Sequence, residues 1–143
     1  QKSIALVKNF PHAVYFQASS HYFLKEYDQA LEGFTEALNQ GYPASEIYSL
    51  RWYLYFLKQD YDNALKDAEE AIKLQPSNAN LLIAMGDIYR EKNRDREAVE
   101  AYEKAAKLVP DNGDLFYYIA YTYAKLNEYI PQGVAALKAI QKG

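Results

Sequence analysis

Apolar residues recur through most of the chain at intervals of three and four, the spacing of a helix that buries one face. Short turns containing Gly, Pro, Asn and Asp interrupt this pattern. Pro cannot continue a helix interior, and Asn, Asp and Ser favour the start of the next helix. The pattern predicts an all-α chain of eight helices, spanning residues 12–25, 27–40, 45–58, 61–74, 79–92, 95–108, 113–126 and 130–141.

The third predicted helix is apolar on nearly every side, and Trp52 to Leu57 is a continuous apolar run. A helix that is apolar all round is either fully buried or covered by a partner. Read alone, this run could also be a strand. The repeat register described next overrules that reading.

A second regularity has a period of 34 residues. Alanine recurs at this interval, a further alanine follows seven residues later, and an aromatic or His residue comes nine residues earlier. The three series are Ala30, Ala64 and Ala98; Ala37, Ala71, Ala105 and Ala139; and His21, Tyr55, Tyr89 and Tyr123.

Each period contains two amphipathic helices and a short polar turn. No such hairpin can bury its apolar face alone, so about three or more must stack. We therefore predict a single repeat domain over residues 1–143, which is a piece of a longer protein. Its parts are the tail of a preceding helix at 1–10, repeats at 11–44, 45–78 and 79–112, and a repeat with a degenerate second helix at 113–143.

The third unit resembles the tetratricopeptide repeat (TPR) family at eight signature positions, and the resemblance extends from about Pro11 to Gln141. It implies a right-handed α-solenoid of four 34-residue helix-turn-helix repeats, which acts as a scaffold for partners. The eight residues are Leu82, Met85, Gly86, Tyr89, Ala98, Tyr102, Ala105 and Pro110.

The second unit departs from this motif. Trp52 stands where the motif usually has a small residue, and Ala68 stands where it usually has an aromatic one. Cores tolerate exchanges that conserve total volume, so we interpret the two as a volume swap across the hairpin. Arg51 and Gln17 occupy a place that is usually leucine, and we expect their stems to lie on the surface with the polar heads in water.

The resemblance also implies which residues line the concave face of the solenoid. In the family they come from the first helix of each repeat, at a spacing of i, i+4 and i+7 that puts them on one side of the helix. Carried over residue by residue, with Asn80 added near a helix start, the predicted partner-binding groove is Tyr15, Ser19, Tyr22, Ser49, Tyr53, Phe56, Asn80, Ile83, Asp87, Arg90, Tyr117 and Tyr121.

An aromatic groove offers large rigid surfaces at low entropic cost and suits a peptide or partner helix with apolar or proline side chains. The same tyrosines are equally suited to packing between neighbouring first helices, so groove and packing seam both stay open. The leading hypothesis is a non-catalytic protein–protein interaction scaffold. The alternative is a structural spacer or oligomerisation segment of a larger TPR protein, with self-association through its uncapped ends.

One known TPR ligand class is not expected. Some members of the family hold the acidic tail of cytosolic chaperones with Lys, Asn and Arg from successive repeats. No basic residue stands at the corresponding positions, whether they are counted from the first or the second repeat. The two sets are Tyr15, Ser19, Leu50, Asn80 and Ala84, and Ser49, Tyr53, Ala84, Asp114 and Tyr118.

Composition excludes further classes of partner and site. The 143-residue chain has a formal charge of −3 with both signs well mixed, which argues against nucleic-acid binding. Its apolar runs are all far shorter than the roughly 20 residues needed to cross a bilayer, so no membrane insertion is expected. Without cysteine the chain has no disulfide or thiolate metal site. The partner's identity and the compartment stay open.

The residues that catalysis requires are not arranged for it. His21 stands where other units have Tyr, and Ser19 and Ser20 are its neighbours on one helix, where adjacent side chains point apart. No glycine-rich phosphate loop or metal-binding spacing occurs. We therefore predict that the chain is not an enzyme and uses no cofactor.

Overall fold

The computed structural model describes residues 10–126, and this part of the chain contains seven α-helices and no strand. The all-α prediction is confirmed, and the helix bounds agree to within one or two residues. The predicted tail at 1–10, apart from Phe10, lies outside the described residues. The predicted helix at 130–141 lies outside them as well. The helices are α1 Pro11–Phe23, α2 Tyr27–Asn39, α3 Ala44–Leu57, α4 Tyr61–Leu74, α5 Ala79–Glu91, α6 Asp95–Leu108 and α7 Gly113–Lys125.

The repeat is visible in the backbone of the turns between paired helices. Lys25, Gln59 and Asn93, spaced 34 residues apart in the sequence, have φ of 64°, 62° and 60°. In each turn the next amide donates to a carbonyl five residues earlier, as Asp60 does to Tyr55 at 2.9 Å. This left-handed ending satisfies carbonyls that the helix leaves unpaired. The same turn therefore closes three successive hairpins.

The chain divides into two compact units, with the boundary between Ala71 and Ile72. In the N-terminal unit, Phe34 of α2 is completely buried. A Cβ on Gly33 would come within 2.6 Å of the Ala18 Cβ, so α1 and α2 touch where both residues are small. The core consists of Val14, Ala18, Ala30, Phe34, Ala37, Tyr42, Ile47 and Leu54.

The C-terminal unit repeats this plan with a different pair of residues. Tyr102 of α6 is completely buried, and a Cβ on Gly86 of α5 would lie 2.5 Å from its ring. Asn78 and Asn112 cap α5 and α7, because their side chains accept hydrogen bonds from amides three residues later. The core consists of Leu82, Ala98, Val99, Tyr102, Ala105, Ala106, Leu115, Phe116 and Ile119.

The hairpin formed by α3 and α4 is built differently. Its two helices carry Trp52 and Asp67 at the positions that Gly86 and Ala101 hold in the α5–α6 hairpin. Trp52 is half-buried, with its ring 5.5 Å from Tyr53 and 6.1 Å from Phe56, both on its own helix. These contacts do not test the proposed volume swap with Ala68, which stays a prediction.

The expectation for Arg51 is wrong. Its guanidinium is not in water but donates two hydrogen bonds to Asp67 of α4, Nε to Oδ2 at 2.6 Å and Nη2 to Oδ1 at 2.9 Å. Nη1 donates to the Thr35 hydroxyl at 3.0 Å. The Asp67 side chain is only 4% exposed. A buried carboxylate requires a charged partner, and the Arg51 guanidinium supplies it.

The predicted repeat boundaries and the single-domain organisation stay predictions. The helix predicted to be apolar on all sides is not fully covered in the described part of the chain. In α3 only Ile47 and Leu54 are buried, whereas Tyr53 and Leu57 are 39% and 40% exposed.

Candidate partner-binding surface

On each of the helices α1, α3, α5 and α7 the predicted groove residues fall on one side, and we call that side of the helix its first-helix face. Those on α1 and α3 belong to the N-terminal unit, and those on α5 and α7 belong to the C-terminal unit. Each unit is considered separately below.

In the N-terminal unit, Tyr15 is a packing residue. Its ring stacks on that of Tyr42, with centroids 4.1 Å apart and planes inclined by 8°. The Phe34 centroid lies 5.6 Å away. Offset and tilted ring pairs at such distances stabilise a core beyond the area they bury. Tyr15 therefore packs against α2 and the loop that follows it, and it offers little to a ligand.

Tyr22 and Tyr53 differ in exposure. Tyr22 packs against the N-terminal core, and burial is the main cause that raises its pKa, followed by the nearby phenols of Tyr53 and Tyr27. Tyr53 is 39% exposed. Of the two, only Tyr53 presents much of its ring to a partner.

The remaining predicted residues of this unit are partly buried. The Ser49 hydroxyl donates to the Ser45 carbonyl at 2.8 Å, so it hydrogen-bonds within its own helix. The Phe56 ring meets that of Tyr61 edge-on at 5.4 Å. Ser19 is also partly buried.

In the C-terminal unit, Asp87 and Arg90 belong to a structural network. The Tyr102 hydroxyl donates to Asp87 at 2.5 Å, and Arg90 pairs with the same carboxylate at 3.5 Å. Burial raises the pKa of Asp87, and the bond from Tyr102 opposes this rise. The network holds the buried tyrosine in place against α5.

The network and the packing leave few residues of α5 for a ligand. Ile83 packs against the C-terminal core, and Asn80 near the start of the helix is exposed. Asn80 is thus the most accessible of the predicted α5 residues.

The strongest candidate for binding is on α7. Tyr117 and Tyr121 are 58% and 50% exposed, and their rings lie nearly parallel, with centroids 6.5 Å apart and planes inclined by 17°. A pair of rings fixed on one helix face needs little further ordering to accept an apolar side chain. We call this pair of exposed, nearly parallel rings the tyrosine platform.

Tyr118, between these two, was missed by the groove prediction. Its ring stacks on Tyr102 at 5.9 Å and lies 5.4 Å from the Arg90 guanidinium carbon. It also lines a cleft of about 210 Å³ with Ile83, Asn112, Asp114 and Leu115. The i, i+4, i+7 series omits its position, which follows Tyr117 by one residue.

Sequence reasoning also missed a cleft of about 490 Å³ in the N-terminal unit. Arg51 lies at its centre, with the Tyr48 and Tyr55 ring centroids 5.6 and 5.7 Å from its guanidinium carbon. The sequence did contain a signal for this site. Asp67 is a charged residue at a repeat position where the neighbouring repeats have the small residues Gly33 and Ala101. The cleft is lined by Tyr48, Arg51, Tyr55, Asn63, Lys66, Asp67 and Glu70.

Comparison with protein families now connects these features to known proteins. A model described as tetratricopeptide repeat matches residues 15–79, and one described as TPR repeat matches residues 86–127. Together they cover well over half of the chain. The chain belongs to the tetratricopeptide repeat family.

Solved TPR structures share its fold. A crystal structure of MamA superposes with a TM-score of 0.87 at 18% identity, covering 99% of this chain and 82% of that one. MamA from Desulfovibrio magneticus RS-1 gives 0.84 at 17% identity, covering 97% and 78%. YrrB, described as a TPR protein with an unusual peptide-binding site, gives 0.85 at 19% identity, covering 99% and 73%. No curated protein sequence matches the chain.

Membership in the TPR family settles the general class of function. TPR arrays are protein–protein interaction scaffolds, and proteins built from them are generally not enzymes. Between residues 10 and 126, no three acidic or histidine side chains gather as metal ligands would. Within the same range, no helix has the length and apolarity to cross a bilayer.

Proposed function

We propose that this TPR chain binds a peptide or a partner helix through its first-helix face. The exposed tyrosine pair on α7 carries the proposal. Tyr117 and Tyr121 are held parallel, and half or more of each side chain is in water. Exposed aromatic rings that face the same way are costly to leave uncovered and are enriched among binding anchors.

Two further observations support this choice of face. Tyr53 of α3, at the position equivalent to Tyr121 of α7, is 39% exposed. YrrB, which has a similar fold, is described as binding a peptide at an unusual site. Such a description belongs to YrrB, and it makes a peptide ligand a reasonable hypothesis for this chain.

The experiment is a pull-down from the native extract with the variant Tyr53→Ala/Tyr121→Ala. We expect it to lose partners that the unsubstituted chain retains, because truncating an aromatic anchor costs about 2 kcal/mol or more, roughly thirtyfold in affinity. The matched control is Leu74→Ala/Leu108→Ala, which removes apolar side chains that are 54% and 43% exposed on α4 and α6. An unchanged set of partners with intact helical content would refute binding at this face.

A second candidate function, a segment of a larger array or an oligomer, rests on α1. Phe16 and Phe23 are 62% and 80% exposed. One period later, Leu50 of α3 packs against the N-terminal core together with α2 residues. Phe16 and Leu50 are equivalent positions, so the side of α1 that is exposed at Phe16 corresponds to a side of α3 that is packed against the core. A further helix could cover Phe16 in the same way.

Sedimentation velocity separates the two candidates. A segment that associates through α1 forms larger species as the concentration rises, and Phe16→Ser/Phe23→Ser abolishes them. A monomer at every concentration would count against self-association and leave peptide binding untouched.

A further inference from the structure

We propose that the first-helix face of the C-terminal unit selects a peptide with a lysine or arginine next to a proline or aromatic residue, and that Asp114 receives the basic side chain. The proposal rests on the proposed peptide-binding function and adds the chemistry of the ligand. It comes from the small cleft beside the tyrosine platform.

The size of the cleft points to a single side chain. Its volume is about 210 Å³, below the roughly 300–1,000 Å³ of pockets that enclose a whole small molecule. Ile83, Leu115 and the Tyr118 ring give it apolar walls, and the carboxylate of Asp114 stands at its rim. A long aliphatic stem with a polar head matches both features.

The charge at the rim selects the head group. Asp114 is exposed, and no side chain in the described part of the chain pairs with it. The nearest cation of the face, Arg90, is already paired with Asp87. The helix dipole places a partial positive charge of about half a unit at the start of α7, and this charge repels a cation. The full negative charge of Asp114 outweighs it. The rim is therefore negative and favours a cation.

The neighbouring residue of the ligand follows from helix geometry. Asp114, Tyr117 and Tyr121 stand at i, i+3 and i+7 on α7, hence on one side of the helix. The ring faces of Tyr117 and Tyr121 accept proline or aromatic rings by stacking. A peptide whose basic side chain reaches Asp114 thus places its next residues over the platform.

The N-terminal unit shares part of this arrangement. Glu46 is exposed in the first turn of α3, at the position equivalent to Asp114 in α7, but it interacts with the Tyr42 hydroxyl. No lysine or arginine lies among the predicted groove residues of α1 and α3. Ser49 stands at the position of Tyr117, so α3 offers one exposed tyrosine where α7 offers two.

The test is selection of a random hexapeptide phage library against the immobilised chain, compared with Asp114→Asn, Asp114→Lys and Tyr117→Ala/Tyr121→Ala. We expect the unsubstituted chain to enrich peptides with Lys or Arg beside Pro or an aromatic residue. Asp114→Asn should lose the basic preference, and Asp114→Lys should replace it with Asp or Glu. For one selected peptide, we expect Asp114→Asn to weaken binding about two- to fivefold, as the loss of one exposed ion pair does.

Glu100→Lys is the control for net charge, because Glu100 is exposed on α6 and lies off the first-helix face. It should select the same peptides as the unsubstituted chain. If peptides are enriched without a basic residue, or if the Asp114 variants select the same sequences, the assignment of Asp114 is wrong and the proposed function stands. If the unsubstituted chain enriches nothing, peptide binding itself fails.

Discussion

Hairpins α3–α4 and α5–α6 follow one 34-residue pattern but hold their helices together by different means. In α5–α6, the buried Tyr102 ring lies directly against Gly86 of α5. A Cβ at that position would lie 2.5 Å from the ring, which is too close for any side chain other than glycine's hydrogen. In α3–α4, the position of Gly86 is Trp52 and the position of Ala101 is Asp67. One hairpin is joined by close contact at a glycine, and the other by a buried ion pair.

The difference teaches that substitutions at motif positions come in sets. Asp67 in place of a small residue would leave a buried charge, and Arg51 in place of leucine compensates for it with two hydrogen bonds. A cleft of about 490 Å³ adjoins this pair. Four substitutions test this comparison, and they are given in order of decreasing expected effect.

The largest effect is expected for Asp67→Ala. It leaves the Arg51 guanidinium, whose side chain is 13% exposed, without its carboxylate, and breaking a buried pair costs about 3–5 kcal/mol. Urea unfolding followed by circular dichroism measures this free energy. The double variant Arg51→Leu/Asp67→Ala removes both charges and should recover most of the loss.

The control for the ion pair is Lys58→Ala, which removes an exposed pair with Asp28 of the same unit. It should cost less than about 1 kcal/mol. If Asp67→Ala costs no more than this control, the buried pair does not hold α3 to α4.

Trp52→Gly should destabilise the protein by about 3 kcal/mol, because it removes a large half-buried ring and leaves a cavity. Adding Ala68→Tyr recreates the glycine–tyrosine arrangement of α5–α6 and should recover part of the loss. Thermal unfolding of the single and double variants measures both. An unchanged melting temperature for Trp52→Gly would rule out the volume swap.

Gly86→Ala should destabilise by about 1 kcal/mol. The new methyl group would lie 2.5 Å from the Tyr102 ring, and overpacking of this kind costs about 1–3 kcal/mol. The better helix propensity of alanine returns about 1 kcal/mol of this. In a Tyr102→Leu background the clash disappears, and the same substitution should then be neutral or stabilising. Equal effects in the two backgrounds would show that the ring is not the obstacle.

Gln59→Gly is expected to stabilise the protein by less than about 1 kcal/mol, the smallest effect of the four, because the entropy that glycine loses on folding offsets part of the gain. Gln59 ends α3 with φ of 62°, a conformation that costs side chains other than glycine about 1–2 kcal/mol. Asn93 ends α5 in the same way, and asparagine tolerates it better, so Asn93→Gly should gain less. Lys58→Gly, at φ of −86°, serves as the control and should gain nothing.

The hairpins were predictable because apolar spacing and the 34-residue period act locally and repeat. The helix bounds follow from that spacing, and the signature residues of the third unit carry the resemblance to the family. The Arg51–Asp67 pair was not predictable from that spacing. A charged residue on one helix indicates an ion pair only when the residue that faces it on the opposing helix is known. Gly33 and Ala101 at the equivalent positions of Asp67 offered a signal, but only when two helices were read together.

The candidate binding surface was predictable only in part. Spacing alone puts Tyr15 and Tyr121 on the same side of their helices, yet Tyr15 stacks on Tyr42 whereas Tyr121 stays half exposed. Whether such a tyrosine is packed or exposed depends on which residue from another part of the unit lies against it. For Tyr15 it is a tyrosine in the loop after α2, which no periodicity on α1 can reveal.

Partner binding at the first-helix face is tested most directly by site-specific photocrosslinking. A benzophenone amino acid at Tyr117 should form a covalent adduct with the partner in native extract, and excess unlabelled chain should suppress it. The same amino acid at Leu108, which is 43% exposed on the second helix α6, should form none. Adducts of equal yield at the two positions, or adducts only at Leu108, would contradict binding at this face.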